Sequence, residues 1–326
     1  MQRISLLFAV FLLCLNNACA ASDSAFKLVL ASHAGQLSWS AEGFEIVQSS
    51  AKPNGSEIGI RGRNEAGITF LGFLFLVPEQ APLTSAKCRD GALNSEKGNN
   101  PALKIQSTSE MKGSGALPVS LVSYTTQRSD GKAMYILRGF VATADICGDL
   151  EFYSDSPITA DETIKRVFWG YQLDEKYTPT FNDVFLYAQI LYNERQFRAA
   201  APMFERALTI LRSSHERDQT TRRRVLTDQE GMAYGTSGDI AKARSVFENA
   251  IAEDPDYPLY YYNLACADAE EKNLAGAQKH LREAFDRKAN VIPGETMPDP
   301  TKDDSFTPFR QDKRFWSFLE SLQAQR

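Results

Sequence analysis

Apolar and polar positions alternate with a period near two from Ala25 to about Leu150, and after about Thr180 they switch to the 3.6-residue period of amphipathic helices. In the first stretch, seven segments rich in β-branched and aromatic residues read as strands: Phe26 to Leu30, Phe44 to Val47, Glu57 to Gly62, Ile68 to Val77, Val119 to Thr126, Met134 to Ala142 and Leu150 to Tyr153. Turn formers at Lys52-Pro53-Asn54-Gly55, Asn64-Glu65-Ala66-Gly67 and Ser129-Asp130-Gly131 punctuate them as hairpins of an antiparallel sheet. Two helical stretches interrupt the strands. One lies near Leu83 to Leu93, and the other opens at Thr159-Ala160-Asp161-Glu162 and runs to about Trp169. Thr159 and Glu162 can satisfy each other's free backbone amides as a capping box. Residues 94–117, rich in Ser, Asn, Gly and Lys, are expected to form a long surface connection. The expectation is an α+β domain, an antiparallel sheet with helices, over residues 21–177.

The helical half contains an internal repeat. Aligning Ala200, Ala243 and Ala277 brings Phe204, Phe247 and Leu281 into register four residues later, with Ala207, Ala250 and Ala284 at seven and Leu208, Ile251 and Phe285 at eight. Twelve residues before each alanine stands a small residue, Ala188, Gly231 or Ala265. The second and third copies are 34 residues apart. This pattern resembles the tetratricopeptide repeat (TPR), a helix pair in which small residues let the helices approach and bulky ones fill the holes between them. The second copy is the fullest, since Gly231, Tyr234, Gly238, Ala243, Phe247, Ala250 and Pro255 fall where the family has Gly, Tyr, Gly, Ala, Phe, Ala and Pro. The resemblance covers residues 181–290 and implies an all-α TPR solenoid of three repeats over 178–290. The first two copies are 43 residues apart. The extra residues, around Ser213 to Arg224, predict two lengthened facing helices similar to the long repeats of kinesin-light-chain-type arrays. Residues 291–326 then read as a Pro-rich connection and a C-terminal capping helix with Phe309, Phe315, Trp316 and Phe318, because the last repeat of a solenoid has no neighbour to cover its apolar edge.

TPR arrays hold peptides or protein segments in a groove lined by the first helix of each repeat. The resemblance therefore implies a partner-binding groove built from Phe185, Gln189 and Tyr192, then Asp228, Met232 and Gly235, then Leu259, Tyr262, Asn263 and Cys266. Chaperone-binding members grip a C-terminal carboxylate with Lys, Asn and Arg. At the matching places this chain has Phe185, Gln189, Gln229, Leu259 and Asn263, of which only Asn263 is of a compatible type and none is a cation. An apolar or aromatic anchor is the expectation instead. Tyr192, Tyr257, Tyr260, Tyr261 and Tyr262 supply aromatic surface of the type enriched at binding hot spots, packing between helices being their alternative role.

The stretch from Arg138 to Tyr153, with the capped helix after it, resembles the closing strands and helix of PsbP/Mog1-like domains. That resemblance contains no catalytic motif, and a fold by itself implies no activity. Residues 1–20 carry Arg3, an apolar run from Leu6 to Leu15 and the small residues Ala18-Cys19-Ala20, the pattern of a secretory signal cleaved after Ala20. The run is too short for a membrane anchor, which needs about 20 apolar residues. A lipoprotein would acylate Cys19, but Asn16 stands where the lipobox has a branched apolar residue. Export to the periplasm or the extracellular space would put the chain where disulfides persist. Of the five cysteines, Cys88, Cys147 and Cys266 remain after cleavage. The expected pair is Cys88–Cys147, with two separate buried thiols as the alternative.

Composition narrows the chemistry. The 326 residues allow two cores. With 36 Lys and Arg against 41 Asp and Glu, the formal charge of −5 argues against nucleic acid as a partner. Three histidines, His33, His215 and His280, leave little material for a metal centre or a His-dependent triad. Asp145, Asp149 and Glu151 form the tightest acidic cluster; a solvated face is expected, with acid/base catalysis as the alternative. Gly113-Ser114-Gly115 lacks the frame of a nucleophile elbow. Arg222-Arg223-Arg224 reads as a solvated helical face, or alternatively an anion site. No catalytic, cofactor-binding or metal-ligating residues are expected, and no cofactor. The expected function is that of an exported scaffold or adaptor whose groove takes a protein or peptide segment, without membrane attachment after signal cleavage. The alternative is an enzyme or small-ligand receptor with its site in the N-terminal domain and the repeats as a docking arm. A concave pocket lined by convergent polar groups in residues 21–175 would favour it.

Overall fold

The computed structural model describes residues 25–323 apart from 41, 42, 81, 113–116, 159–163, 165, 166, 169 and 215–218. The expected signal sequence with Cys19, the Gly113-Ser114-Gly115 stretch, the expected Thr159 to Glu162 capping box, Trp169 and His215 lie outside the described residues. The chain divides into two compact units, one ending at Glu194 and the other beginning at Arg195.

The first unit contains ten strands among the described residues: β1 (Ala25–Val29), β2 (Gln36–Ser40), β3 (Glu45–Ala51), β4 (Glu57–Arg63), β5 (Thr69–Leu76), β6 (Lys104–Lys112), β7 (Pro118–Gln127), β8 (Ala133–Thr143), β9 (Ile146–Ser154) and β10 (Gln172–Asp174). Seven form an antiparallel sheet in the order β3-β4-β5-β9-β8-β7-β6, and three form a smaller one, β1-β2-β10. Strands β2, β6 and β10 go beyond the expected set. Residues 94–117 are not the long connection expected. Helix α1 (Ser85–Asn99), capped by the Thr84 side chain accepting from the Lys87 amide, takes the first part, and β6 takes Lys104–Lys112. Strand β6 is a polar edge strand, and an edge with no buried face carries no period-two apolar signal.

Alternate residues of the large sheet serve two cores. Val122, Tyr124, Ile136, Phe140 and Cys147 meet Cys88 and Leu93 of α1, and a Cys88–Cys147 disulfide with a Cα separation of 6.1 Å joins the two layers. On the opposite face a chain of rings runs through Trp39, Phe70, Phe152 and Phe168, with neighbouring centroids 5.2–5.6 Å apart. Phe168 is helical and lies where a side chain at Gly139 would stand, so this strand position needs glycine for close approach. Helix α2 (Phe181–Asn193) follows a Thr180–Asp183 capping box and belongs to this unit. Its buried Tyr187 places its hydroxyl 2.7 Å from the carbonyl oxygens of both Lys52 and Glu57 in the β3–β4 hairpin.

The second unit consists of α3 (Phe197–Ser213), α4 (Thr220–Thr236), α5 (Ile240–Glu253), α6 (Pro258–Glu270), α7 (Leu274–Asp286) and α8 (Lys313–Gln323), with a 3₁₀ turn at Asp304–Phe309. Each of α3 to α7 packs against the next. The register read from sequence coincides with burial: Ala200, Ala243, Ala277, Phe204, Phe247, Leu281, Ala207, Ala250 and Ala284 are all 7% exposed or less. Helices α3 and α4 have 17 residues each against 13 or 14 in α5 to α7, so the extra residues lengthen two facing helices. At the far end Phe306, Phe309, Phe315, Phe318, Leu319 and Leu322 cover Tyr261, Tyr262, Ala265 and Leu281. Asp268 of α6, 1% exposed, accepts hydrogen bonds from Arg244 of α5 at 2.8 Å and Asn273 at 3.2 Å, and lies 2.6 Å from Nδ1 of His280 in α7.

Candidate partner-binding surface

Phe185, Gln189 and Tyr192 lie half-buried along one face of α2, with Phe185 stacked on Phe181 at 5.7 Å between centroids. In the second unit, α4 and α6 bring Asp228 and Asn263 into contact and set Met232 and Leu259 against one core, whereas Tyr262 and Cys266 pack against a different cluster. Asn263 donates to the Asp228 carboxylate at 2.6 Å. Met232 and Leu259 flank a core of Phe247, Tyr257, Tyr260 and Ile292. Burial pushes the Asp228 carboxyl up to about 7, with the Glu295 carboxylate acting in the same direction and the Asn263 hydrogen bond opposing.

Tyr262 is placed differently from an open groove lining. It is 2% exposed, donates its hydroxyl to Asp303 at 2.9 Å and meets the Phe306 ring edge-on at 5.9 Å. Tyr257 and Tyr260 are also buried, so most of the expected aromatic surface is packing. The groups that sequence reasoning missed belong to residues 291–303, which reach these helices from beyond the repeats. The available signal was Ile292 and Met297, two apolar side chains inside a Pro-rich stretch.

The other candidates resolve into charge pairs. Arg223 donates to Glu253 at 2.9 Å, while Arg224 grips Asp254 through two nitrogens at 2.7 and 2.9 Å and lies over the Tyr257 ring. These two arginines therefore clamp the end of α5. In the acidic cluster, Arg138 donates to Asp149 at 2.9 Å and lies 3.3 Å from Glu151. Asp149 is thereby engaged in a charge-assisted ion pair with the guanidinium. Burial raises Glu151 to about 7 and Arg138 opposes it.

Concavities open on both units. One, of about 420 Å³, lies between α3, α4 and α5 against Arg212, Arg223, Thr227, Glu230 and Glu253. The other, of about 660 Å³, opens on the sheet unit and is lined by Arg61, Arg63, Arg128, Tyr153, Ser154 and Asp155. No group of three or more His, Cys, Asp or Glu side chains among the described residues could hold a metal ion. No helix among them is long and apolar enough to cross a membrane.

Buried small residues opposed to aromatic ones in consecutive short helices define a helical-repeat protein. The family model of the tetratricopeptide repeat matches residues 229–257, the copy centred on Gly231 and Phe247. Among solved structures, the chain is similar to the Sgt2 TPR domain of Aspergillus fumigatus, at 18% identity over 45% of this chain and 80% of that one, with a TM-score of 0.31. It is also similar to SycD of Yersinia enterocolitica, solved with a peptide of the translocator YopD, at 16% identity over 47% and 98% of the two chains and a TM-score of 0.30. PcrH of Pseudomonas aeruginosa aligns at 13% identity over 44% and 91%, with a TM-score of 0.30. No curated protein matches the chain.

Proposed function

We propose that this chain is an exported, non-enzymatic interaction protein, in which a TPR solenoid binds an extended segment of a protein partner. The observation that carries this is the surface of α4 and α6, where Asp228, Met232, Leu259 and Asn263 converge beside a stretch of polypeptide without helix or strand. The Tyr257 and Tyr262 hydroxyls and the Asn263 amide there are held by Glu295, Asp303 and Asp228; released from these, they would make directional hydrogen bonds that suit a main chain and scattered polar groups better than a single carboxylate terminus. Export rests on the signal pattern of residues 1–20 and agrees with a disulfide, which persists in oxidising compartments. The mature chain would begin at Ala21 and stay free of the membrane. The PsbP/Mog1-like resemblance concerns the fold of the sheet unit and adds no activity.

The test is a peptide array probed with residues 21–326 and with the Asn263→Ala and Met232→Ala plus Leu259→Ala variants. Binding to a defined set of peptides, weakened at least fivefold by Asn263→Ala, is the expected outcome; equal binding by all variants would remove the groove. One observation favours a second function. The 660 Å³ cleft carries Arg63 and Arg61, the latter standing over the Tyr153 ring at 6.0 Å, beside an Arg128 paired with Asp155, and so suits a small anionic ligand. A thermal-shift screen of anionic metabolites against Arg61→Ala plus Arg63→Ala separates the two functions.

A further inference from the structure

Connections between packed helices usually take about two to eight residues. Between the 3₁₀ turn that ends at Asn290 and the one that begins at Asp304, residues 291–303 form no helix or strand, and they do not loop into solvent. Ile292 is 5% exposed and joins Tyr257, Tyr260 and Leu264 in one core. Met297 packs on the cluster of Tyr261, Tyr262 and Ala265, and Pro300 is buried. Both acids of this stretch that reach α6 meet tyrosines. Glu295 accepts from the Tyr257 hydroxyl at 2.9 Å and from its neighbour, the Ile292 amide, at 3.1 Å; Asp303 accepts from Tyr262 at 2.9 Å and faces the Cys266 thiol at 3.9 Å. The start is tied by Arg224 donating to the Asn290 carbonyl at 3.3 Å. Residues of this stretch thus touch or neighbour Asp228, Leu259, Tyr262 and Cys266, the positions that the repeat pattern assigns to a partner.

We propose that residues 291–303 are a resident occupant of the repeat surface. The surface recognises extended, proline-containing segments with an apolar anchor and a carboxylate three residues after it, as Ile292 and Glu295 are spaced. A partner segment of that chemistry gains access by displacing the resident one. This rests on the peptide-binding function proposed above. A tethered occupant competes at an effective concentration in the millimolar range, so a free segment of equal intrinsic affinity binds the intact chain far more weakly than an emptied one.

The experiment replaces residues 291–302 by a Gly-Ser stretch of equal length, leaving the Asp303 to Gln323 cap in place. The probe is a fluorescein-labelled peptide of residues 290–303, followed by anisotropy. The emptied chain is expected to bind it saturably, the intact chain at least tenfold more weakly, and a peptide carrying Glu295→Gln at least threefold more weakly than the native peptide. An emptied chain with native circular dichroism that ignores the peptide, or an intact chain that binds it equally well, overturns the proposal. Array peptides separate the two levels. If the emptied chain binds them but not its own segment, occupancy is wrong and the interaction function stands; if it binds neither, both fall. Should the replacement unfold the unit, hydrogen exchange on full-length Glu295→Gln decides. Exchange at least tenfold faster at residues 291–300 with α4 and α6 unchanged supports the proposal. Unchanged exchange, or acceleration throughout the unit, overturns it.

Discussion

Two glycines in α4 should respond oppositely to the same substitution. A Cβ added at Gly231 would lie 2.6 and 2.7 Å from Cε1 and Cε2 of Phe247, whereas carbon atoms in contact settle about 3.5–4.0 Å apart. The ring must therefore retreat by roughly 1 Å. Phe247 is 2% exposed and packed among Ala243, Ala250, Tyr260 and Leu264, so a close-packed interior leaves it nowhere to go. Overpacking of this kind costs about 1–3 kcal/mol, and the gain in helix propensity from Gly to Ala returns about 1 kcal/mol. Gly231→Ala should then destabilise the helical unit by up to about 2 kcal/mol. At Gly235, one turn later, the new Cβ would stand 3.6 Å from that of Ala243, an ordinary contact. Gly235→Ala keeps the propensity gain alone and should stabilise by up to about 1 kcal/mol. Urea unfolding followed at the helical circular dichroism band measures both. Adding Phe247→Leu to Gly231→Ala should cost less than the sum of the single changes by about 1 kcal/mol, because the ring that clashes is gone. If Gly231→Ala proves stabilising to the same extent as Gly235→Ala, the close approach of α4 and α5 at this residue is refuted.

Glu230 is buried beside Glu205, with Arg212 opposing, and its carboxyl is pushed from 4.5 up to about 7. The folded chain thus keeps a proton that the unfolded chain releases, and stability falls as pH rises through that window. Glu230→Gln should stabilise by at most about 3 kcal/mol at pH 8 and change little below pH 4; an equal effect at both pH values would show that the charge is not the cause. The disulfide spans a sequence separation of 59, for which loop-closure entropy gives about 4 kcal/mol. Cys88→Ala plus Cys147→Ala should lower the melting temperature of the sheet unit, and insensitivity of the wild type to reductant would contradict this. Phe306, 1% exposed, lies against Tyr262 and Phe315. Phe306→Ala should cost about 3–5 kcal/mol and increase dye binding to exposed apolar surface, whereas an unchanged melting curve would deny the cap any part in stability.

What could be read in the sequence was whatever repeats or alternates. Gly231 and Phe247 were legible as a pair because the same small and bulky types recur at Ala265 and Leu281. The hairpin strands β5 and β7 were legible because buried and less buried residues largely alternate along them. Strand β6 buries no alternate face, and β10 has three residues, too few to show a period. Helix α2 reads as the first helix of a repeat, yet Tyr187 meets carbonyls more than a hundred positions away, a contact that no local pattern announces. The surface on α4 and α6 was legible from repeat register. Its cover was not, because a Pro-rich stretch looks like a solvated linker until tyrosine hydroxyls are found to face its acids.

Asp268 constrains how the helical unit can move. Its carboxylate is shared by side chains from α5, α7 and the turn between α6 and α7, and each of those contacts would break if one helix slid along another by as little as a side-chain hydrogen bond tolerates. Shear between these three helices is thereby locked out, while rotation of the locked group as a block breaks none of the three contacts. An extended segment lying on α6 then rests on a helix tied to both its neighbours, and its exchange is expected to proceed by peeling of the segment rather than by shear between α5, α6 and α7.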